Sequence, residues 1–503
     1  MFSVFDSYAS FTYVHALKEA CGRPLRKSLR VNTLKNSKEE LLPQLIRKNW
    51  KLTPVPWCSE GFYVEGAGSG ELGRDPGHTL GHYYLQEAAS MLPVTLLDPQ
   101  PGEIILDMAA APGSKSTQIA SALASTSTFV RLGRTTADRP GPSSGGGGES
   151  ARGILIANDV QERRIWILRS ALERSGVTNC IMTKKVGHWF AKHMTERFDR
   201  VLCDAPCTAL GTVRKGTDAM LFSSAFAVSR MAKLQRELLE AAVHATKVGG
   251  RIVYSTCTFS PEENEGIVSY ILNKFSDQLE ALPLEQIPNY ESLKIAFDDS
   301  QKVQEWLAAK DLTQKFFPAM RLWPQTYDTE GFFCAVLQKK ASTLPITKKE
   351  WIPFSEKPVS KNEQARITAY FEDRYGTSFL EEGEKLFERG ERLYLLSEEA
   401  SLFELPCPDY GIGLPFAKKL SHDRILITHE VASLRGMHAT KNIVKPNDGM
   451  LKGILSGKDI VCDPILEGHV LLLTDQFCLG RGLATRGKLK NNIPRGVISG
   501  VLD

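Results

Sequence analysis

Glu103-Ile104-Ile105-Leu106-Asp107 runs without a break into Met108-Ala109-Ala110-Ala111-Pro112-Gly113-Ser114-Lys115. An apolar run ending on an acid reads as a buried strand. The small residues after it let backbone approach a ligand closely, and the helix that follows points its N-terminus at that ligand. The loop is neither a G-x-G-x-x-G nor a P-loop. The same pattern recurs: Ile154-Leu155-Ile156-Ala157 ends at Asn158-Asp159, Arg200-Val201-Leu202-Cys203 at Asp204, and Arg251-Ile252-Val253-Tyr254 at Ser255. Between these strands lie helices. Gln161 to Ser175 carries Ile165, Leu168 and Leu172 at helical spacing with Gly176 as stop, and Leu234, Leu238 and Ala241 mark another closed by Gly249-Gly250. The alternation predicts an α/β fold: a Rossmann-like, doubly wound, mainly parallel sheet. Ligands on such sheets bind beyond the carboxyl ends of the strands, where Asp107, Asp159, Asp204 and Cys257 all fall.

Two cysteines sit in separate motifs, Asp204-Ala205-Pro206-Cys207 and Tyr254-Ser255-Thr256-Cys257-Thr258. They read as two thiols aimed at one substrate, beside a loop that reads as a cofactor site. The chemistry that needs this set is methylation of carbon 5 of a cytosine in RNA. That carbon is too weak a nucleophile to attack a methyl sulfonium unaided. A thiolate adding at carbon 6 turns the ring into an enamine, and afterwards a base must strip the carbon-5 proton so that the thiol can leave. S-adenosylmethionine carries no phosphate, so small residues suffice in its loop, and Asp159 at a strand end would take its ribose hydroxyls. Asp159 also precedes a helix and can be read as its cap. Ser260-Pro261-Glu262-Glu263 reads as a capping box with proline at the first helical position, which would start a helix three residues past Cys257. Cys203 lies inside a strand and reads as core.

Around this centre the chain divides into modules. Residues 1–95 form an N-terminal module with a strand at Arg30-Val31-Asn32-Thr33-Leu34, a turn at Trp57 to Phe62, and helical spacing from Tyr84 to Leu92. Residues 96–340 hold the alternating region. They include an insertion at 125–152, rich in Ser, Thr, Gly and Arg, that reads as disordered. Residues 341–399 read as a linker or intermediate region, and 400–503 as a small β-rich module. The net charge of +4 does not by itself argue for nucleic acid. Seven basic residues against Glu19 alone between Lys18 and Lys38, and five from Arg481 to Asp503, are candidate phosphate-facing patches. No run is apolar enough for a membrane helix, no secretory signal opens the chain, and the ten cysteines lack C-x-x-C spacing. The expectation is a cytoplasmic protein with reduced thiols, no metal and no membrane contact.

Asp107 to Lys115, Asp204 to Cys207 and Tyr254 to Thr258 together resemble the motifs of the Nop/Sun family of RNA cytosine-5 methyltransferases. Supporting pieces are Arg30 to Lys35, Pro56-Trp57-Cys58, Gln86-Glu87-Ala88, Val213-Arg214-Lys215, Glu262 to Glu265, Pro324 to Asp328 and Glu330-Gly331-Phe332-Phe333. The likeness covers about residues 20 to 340, and weaker pieces at Leu489-Lys490-Asn491 and Pro494-Arg495 resemble a C-terminal RNA-binding region. The resemblance implies a class I methyltransferase fold with an N-terminal RNA-binding module and a PUA-like C-terminal one. It implies a monomer acting with S-adenosylmethionine on small-subunit ribosomal RNA. Cys257 would attack carbon 6, Cys207 would drive proton removal and release, and Asp204 would hold the cytosine, with Lys115 in the same catalytic set. Ala109, Ala110, Ala111, Pro112, Gly113, Ser114 and Lys115 would line the cofactor with Asp204, and Asp159 would hold its ribose. Val186 stands where the family has a third acidic residue, and Lys215-Gly216-Thr217-Asp218 replaces the usual Lys-Asp-Pro-Asp. A second reading is a catalytically weak RNA-binding assembly factor that keeps the fold. A third is a methyltransferase acting on DNA or protein: a DNA cytosine-5 enzyme would make Cys207 the attacker and leave Cys257 unexplained, and Asp204-Ala205-Pro206-Cys207 is not the Asn/Asp-Pro-Pro-aromatic motif of amino-group methyltransferases.

Overall fold

The computed structural model describes residues 3–68, 70–124, 152–222, 224–287, 318–344, 350–421 and 424–498. An antiparallel sheet comes first, of β1 (Lys27–Val31), β2 (Lys51–Val55), β3 (Cys58–Glu65) and β4 (Tyr83–Leu85) in the order β2-β3-β1-β4. The stretch expected as a helix from Tyr84 is therefore strand at its start. Leu85 and Tyr84 pair with Leu29 and Arg30, and Ala89–Met91 is a single 3₁₀ turn leading into the Leu92–Leu97 helix. Cross-strand bonding overrides the local period here: Ser28 Oγ donates to the Gln86 carbonyl at 2.7 Å and Arg30 Nε to Gln86 Oε1 at 2.8 Å. Likewise only Trp57 of the expected turn stays in a turn, because Cys58 already opens β3.

The catalytic sheet follows from five buried runs: β5 (Ile104–Asp107), β6 (Ile154–Asn158), β7 (Cys180–Thr183), β8 (Phe198–Asp204) and β9 (Thr246–Thr256). The five are parallel to one another, and β10 (Leu279–Ala281), β11 (Ala319–Leu322) and β12 (Phe332–Lys339) add antiparallel. The order β10-β12-β9-β8-β5-β6-β7 reverses its sense at β5, so loops after β5, β6 and β8 face one crevice. The helix Glu162–Ser175 buries Ile165, Leu168 and Leu172 and stops at left-handed Gly176, as its spacing predicts. The helix Ala225–Ala245 runs directly into β9, so Gly249-Gly250 lies within the strand and does not close the helix. Gly250 is needed there for a close crossing, since a Cβ would meet Thr246 Cγ2 at 2.6 Å and the Asp199 carbonyl at 2.7 Å.

Residues 341–399, expected as a linker, are structured where described. The helix Lys361–Tyr375 buries Ile367, Phe371 and Tyr375, which its polar composition conceals. It packs on a sheet of β13 (Lys357–Pro358), β14 (Glu384–Arg389), β15 (Arg392–Ser397), β17 (Leu414–Ser421) and β18 (Arg424–Ile427), so the β-rich region begins before residue 400. A second five-stranded sheet spans β19 (Ile443–Val444) to β23 (Lys488–Asn491). The C-terminal half is not a detached appendage. Its β16 (Gly411–Ile412) pairs with Met182 and Ile181 at the edge of the catalytic sheet, and Arg152 bonds Glu384 and Glu381 at 3.0 Å each. The expected insertion at 125–152, Arg152 apart, lies outside the described residues.

Candidate active site

The two cysteine motifs meet. Cys207 follows β8 and Cys257 follows β9, adjacent parallel strands in register at Asp204 and Ser255. Their Sγ atoms are 3.3 Å apart. Both thiols are partly exposed, whereas the other eight cysteines are buried. The two loops are laced a second time one residue on, where Thr208 Oγ1 and Thr258 Oγ1 lie 3.0 Å apart. Behind them Glu263 accepts from the Thr208 backbone at 2.9 Å, the Thr208 hydroxyl at 2.5 Å and Gln235 Nε2 at 3.0 Å. Gln235 also donates to the Pro206 carbonyl at 2.8 Å. The hydrogen bond with Cys257 is the largest cause that holds the Cys207 thiol well above its ordinary range, followed by burial and the nearby charges of Cys257 and Glu263.

This lacing displaces the expected capping box. Residues 261–264 form turns, and the helix is Glu265–Lys274, with Asn264 before it and no side-chain cap. Glu263 cannot cap because its carboxylate is spent on Thr208 and Gln235. Ser260 Oγ turns instead to Glu262 Oε2 at 2.7 Å. Asn264 bonds Thr256 Oγ1 at 2.5 Å and the Thr258 carbonyl at 3.0 Å, so it fixes the Cys257 loop from both sides.

Lys115 and Asp204 stand beside the thiols. Asp204 Oδ2 accepts from Lys115 Nζ and Oδ1 from Ser255 Oγ, each at 2.7 Å. Burial opposes the Lys115 charge, but Asp204's charge and hydrogen bond, with Asp107 and Cys257, outweigh it and raise its pKa. Asp107 is fully buried, and that burial pushes its carboxyl up to about 7 against the hydrogen bond from Ser116.

The cofactor loop is backbone-built. Ala111-Pro112 is cis, and Gly113 has φ +109 at the start of the helix Ser114–Ala122, where a Cβ would meet Ala171 Cβ at 2.9 Å. Asn158 ties the loops together: its Nδ2 donates to the Met108 and Lys185 carbonyls at 3.0 and 2.8 Å, and its Oδ1 accepts from Thr183 and Lys185. Asp159 is 2% exposed in its side chain. Its Oδ1 accepts the Gln161 N–H at 3.0 Å in a turn before the helix, which has Gln161 at its N-cap and no side-chain cap, so Asp159 does not cap it as the plainer reading expects; its Oδ2 has no hydrogen-bond partner, with Arg164 Nη1 at 3.4 Å. Arg164 also donates to the Ala111 carbonyl at 2.5 Å. Two buried carboxylate oxygens beside the ends of β5 and β6, Asp107 Oδ1 and Asp159 Oδ2, have no hydrogen-bond partner, next to a loop whose Gly113 has no room for a side chain. Such a cradle fits an aminoacyl nucleoside, whose amino group and ribose diol donate hydrogen bonds.

Over 95% of its length the chain is 34% identical to the ribosomal RNA small subunit methyltransferase F of Shewanella oneidensis, covering 92% of that protein. It belongs to the 16S rRNA methyltransferase RsmB/F family. Residues 149–338 match that family, and residues 10–88 match the N-terminal domain of 16S rRNA methyltransferase RsmF. The Vibrio vulnificus methyltransferase F is likewise 34% identical over 95% of this chain and 92% of its own. The crystal structure of NSun6 from Pyrococcus horikoshii with SFG shares the fold, with a TM-score of 0.51 at 21% identity over 68% of this chain and 99% of that one.

Within this RsmB/F chain, the structure brings Cys207, Cys257, Asp204 and Lys115 together and sets Asp159 across the crevice. Thr208, Ser255, Gln235, Asn158, Arg164 and Arg30 are site-building residues that sequence reasoning passed over. Ser255, Asn158 and Arg30 stand in the sequence motifs without a role of their own, and Thr208 left a signal in that each of the two paired cysteines is followed by threonine. Arg30 is buried and joins the N-terminal module to the cofactor helix through Thr117 Oγ1 at 2.9 Å and the Ser114 carbonyl at 3.3 Å. It belongs to the first basic run, and its neighbours there are also taken up internally. Lys18 pairs with Asp6, Lys27 bonds the Ala67 and Gly68 carbonyls, and Lys35 bonds the Leu80 carbonyl and Ser433 Oγ. That run is largely scaffold. In the second run Arg486, Lys488, Lys490 and Arg495 remain exposed, while Arg481 is partly covered. No helix among the described residues is long and apolar enough to cross a membrane.

Proposed function

We propose that this chain methylates carbon 5 of a cytosine in small-subunit ribosomal RNA, in the cytoplasm, through a covalent Cys257–carbon 6 adduct. The observation that carries the reading is the 3.3 Å approach of two thiols from separate loops beside a small-residue cofactor cradle. S-adenosylmethionine, when bound by Ala109–Lys115 and Asp159, supplies the electrophilic methyl. Asp204, fixed by Lys115 and Ser255, keeps lone pairs to orient the cytosine ring. The family resemblance makes Cys257 the thiol that attacks, and Cys207, hydrogen-bonded to it, keeps its proton while that bond lasts. Cys257 loses its proton to solvent and forms the S–carbon 6 bond, the ring's π electrons move to carbon 5, and carbon 5 bonds the methyl as that methyl's bond to the sulfonium sulfur breaks. Once Cys257 is bonded to carbon, the largest cause of the raised Cys207 value is gone. Cys207 is then free to ionise and take the carbon-5 proton, and the C–S bond breaks to restore the double bond and the thiolate. The exposed basic residues of β23 and its flanks supply contacts to the RNA backbone around the extruded base.

Bisulfite sequencing of small-subunit ribosomal RNA from cells lacking the gene tests the proposal. One cytosine should lose its protection and regain it with the wild-type chain but not with Cys257→Ala. An unchanged methylation pattern would defeat the proposal and favour the assembly-factor reading.

A further inference from the structure

A buried acid, Glu330, and a half-buried one, Glu87, lie on the other side of the loop that carries Cys257. The Cys257 carbonyl accepts from Gly211 N at 2.9 Å, and the Gly211 carbonyl accepts from Gly331 N at 3.0 Å. Neither glycine has room for a Cβ: at Gly211 it would meet the Cys257 carbonyl at 2.7 Å, and at Gly331 the Phe259 ring at 2.1 Å. The loop that carries Gly211 ends at Arg214 and Lys215, and both clamp the segment before Gly331. Arg214, with no exposed side-chain surface, bonds Asp328 Oδ1 at 2.7 Å and the Thr329 carbonyl at 3.0 Å. Lys215 Nζ meets Glu330 Oε2 at 2.7 Å.

Glu330 is 4% exposed in its side chain, and its Oε1 is buried without a hydrogen-bond partner. Its neighbour is another acid, since Glu87 Oε1 accepts the Glu330 backbone N–H at 3.2 Å. Burial first, and the Glu87 charge second, raise the Glu330 carboxyl to about 7 against the pull of Lys215 and Arg214. Burial likewise raises Glu87, against Lys215 and backbone hydrogen bonds. Lys215 is the cation in contact with Glu330. Glu87 feels the same cation only through its charge, and two carboxylates so close bind a proton more readily than either alone.

We infer that Glu330 is a positioning residue for Cys257: ionised, it locks Lys215 and the Gly211 turn against the nucleophile loop, and Glu87 sets the pH at which the lock opens. The inference rests on Cys257 being the nucleophile. When Glu330 takes a proton the ion pair with Lys215 is lost, the turn that holds the Cys257 carbonyl loosens, and attack on carbon 6 slows.

The test is the rate of covalent adduct formation with small-subunit ribosomal RNA in a Cys207→Ala background, followed from roughly pH 5.5 to 8.5. Each rate is divided by that of the Cys207→Ala parent, which removes the common thiol titration. Glu330→Gln should cost about tenfold near pH 8, where the parent is locked, and nothing at the acid end, where the parent is open too. Glu87→Gln should do the reverse. With the like charge removed the Glu330 carboxyl falls, the lock survives to lower pH, and the ratio rises above one just below pH 7 while staying at one above it. Thermal melts and cofactor titrations of both variants confirm that the fold is intact. Ratios independent of pH, or a loss in Glu87→Gln matching that in Glu330→Gln, overturn the inference. If the parent forms no adduct at any pH, the proposed function fails instead.

Discussion

The thiol side of the crevice is held by side chains, and the cofactor side by backbone. Around Cys207 and Cys257, Glu263, Gln235, Thr208, Thr258 and Asn264 all spend polar atoms on one another or on the two loops. Around Ala109–Lys115 the contacts are mostly carbonyls and N–H groups gathered by Asn158 and Arg164. The difference follows from what each side must do. Nucleophile and proton carrier must be aligned to a fraction of an ångström for chemistry, which needs locked rotamers. A cofactor with many hydrogen-bonding groups can be read by main chain, so a side chain there matters less than one on the thiol side.

The sharpest test of the contrast is on the thiol side, where single atoms decide. Cys257→Ala should abolish turnover and leave no covalent RNA adduct on a denaturing gel. Cys207→Ala should stop turnover yet accumulate that adduct, because attack proceeds while release fails. An adduct that survives Cys257→Ala and disappears with Cys207→Ala would exchange the two roles. Both variants should bind S-adenosylmethionine like the wild type, because the groups proposed to hold it are Ala109–Lys115 and Asp159.

Removal of an acid from the cradle should cost less. Asp159→Ala deletes a charge-assisted hydrogen bond to the ribose, on the order of 1.5–3 kcal/mol, or roughly ten- to hundredfold in affinity. It also frees Arg164 and opens the turn to Gln161, so Asp159→Asn, which keeps an oxygen for that turn, separates loss of charge from loss of local structure. Calorimetry with unchanged affinity in both variants would remove Asp159 from the ribose site and leave it a turn former.

The two sides also differ in how far they could be read from the chain. Parallel strands buried on both faces leave runs such as Ile154-Leu155-Ile156-Ala157, and their polar ends mark the crevice. The strands, Gly113, Asp204 and both thiols were legible for that reason. What misled were local rules met by residues whose partners lie far off in sequence. Ser260 to Glu263 satisfies a capping box, but Thr208, 55 residues away, takes the Glu263 carboxylate. Tyr84 to Leu92 satisfies a helical period, yet Arg30 and Ser28 draw its first residues into a sheet. The Lys18–Lys38 run looks like a phosphate patch because charge is visible in sequence, whereas the carbonyls that absorb Lys27 and Lys35 are not.

The smallest expected effect lies at Val186, which is 47% exposed at the end of the loop after β7. It stands before the helix Gly187–His193 with φ −74 and ψ 151 and gives that helix no side-chain cap. Val186→Asp should therefore do two separable things. It should cap the helix, adding about 1 kcal/mol of stability without any cofactor. It should also offer an acceptor to the adenine amino group, tightening S-adenosylmethionine by roughly two- to tenfold, less than Asp159→Ala loses, because a half-exposed hydrogen bond is worth less than a buried one. Lys185, whose Nζ lies 5.1 Å from the Trp189 ring centroid, can turn to the new carboxylate and take part of that gain. Calorimetry with S-adenosylmethionine and with an analogue lacking the adenine amino group distinguishes the two effects. If the variant tightens both ligands equally, the gain is helix capping alone, and the acid at this position does not reach the base. If only the amino-bearing ligand tightens, Val186 marks the place where this chain gave up a side-chain contact that the backbone cradle could spare.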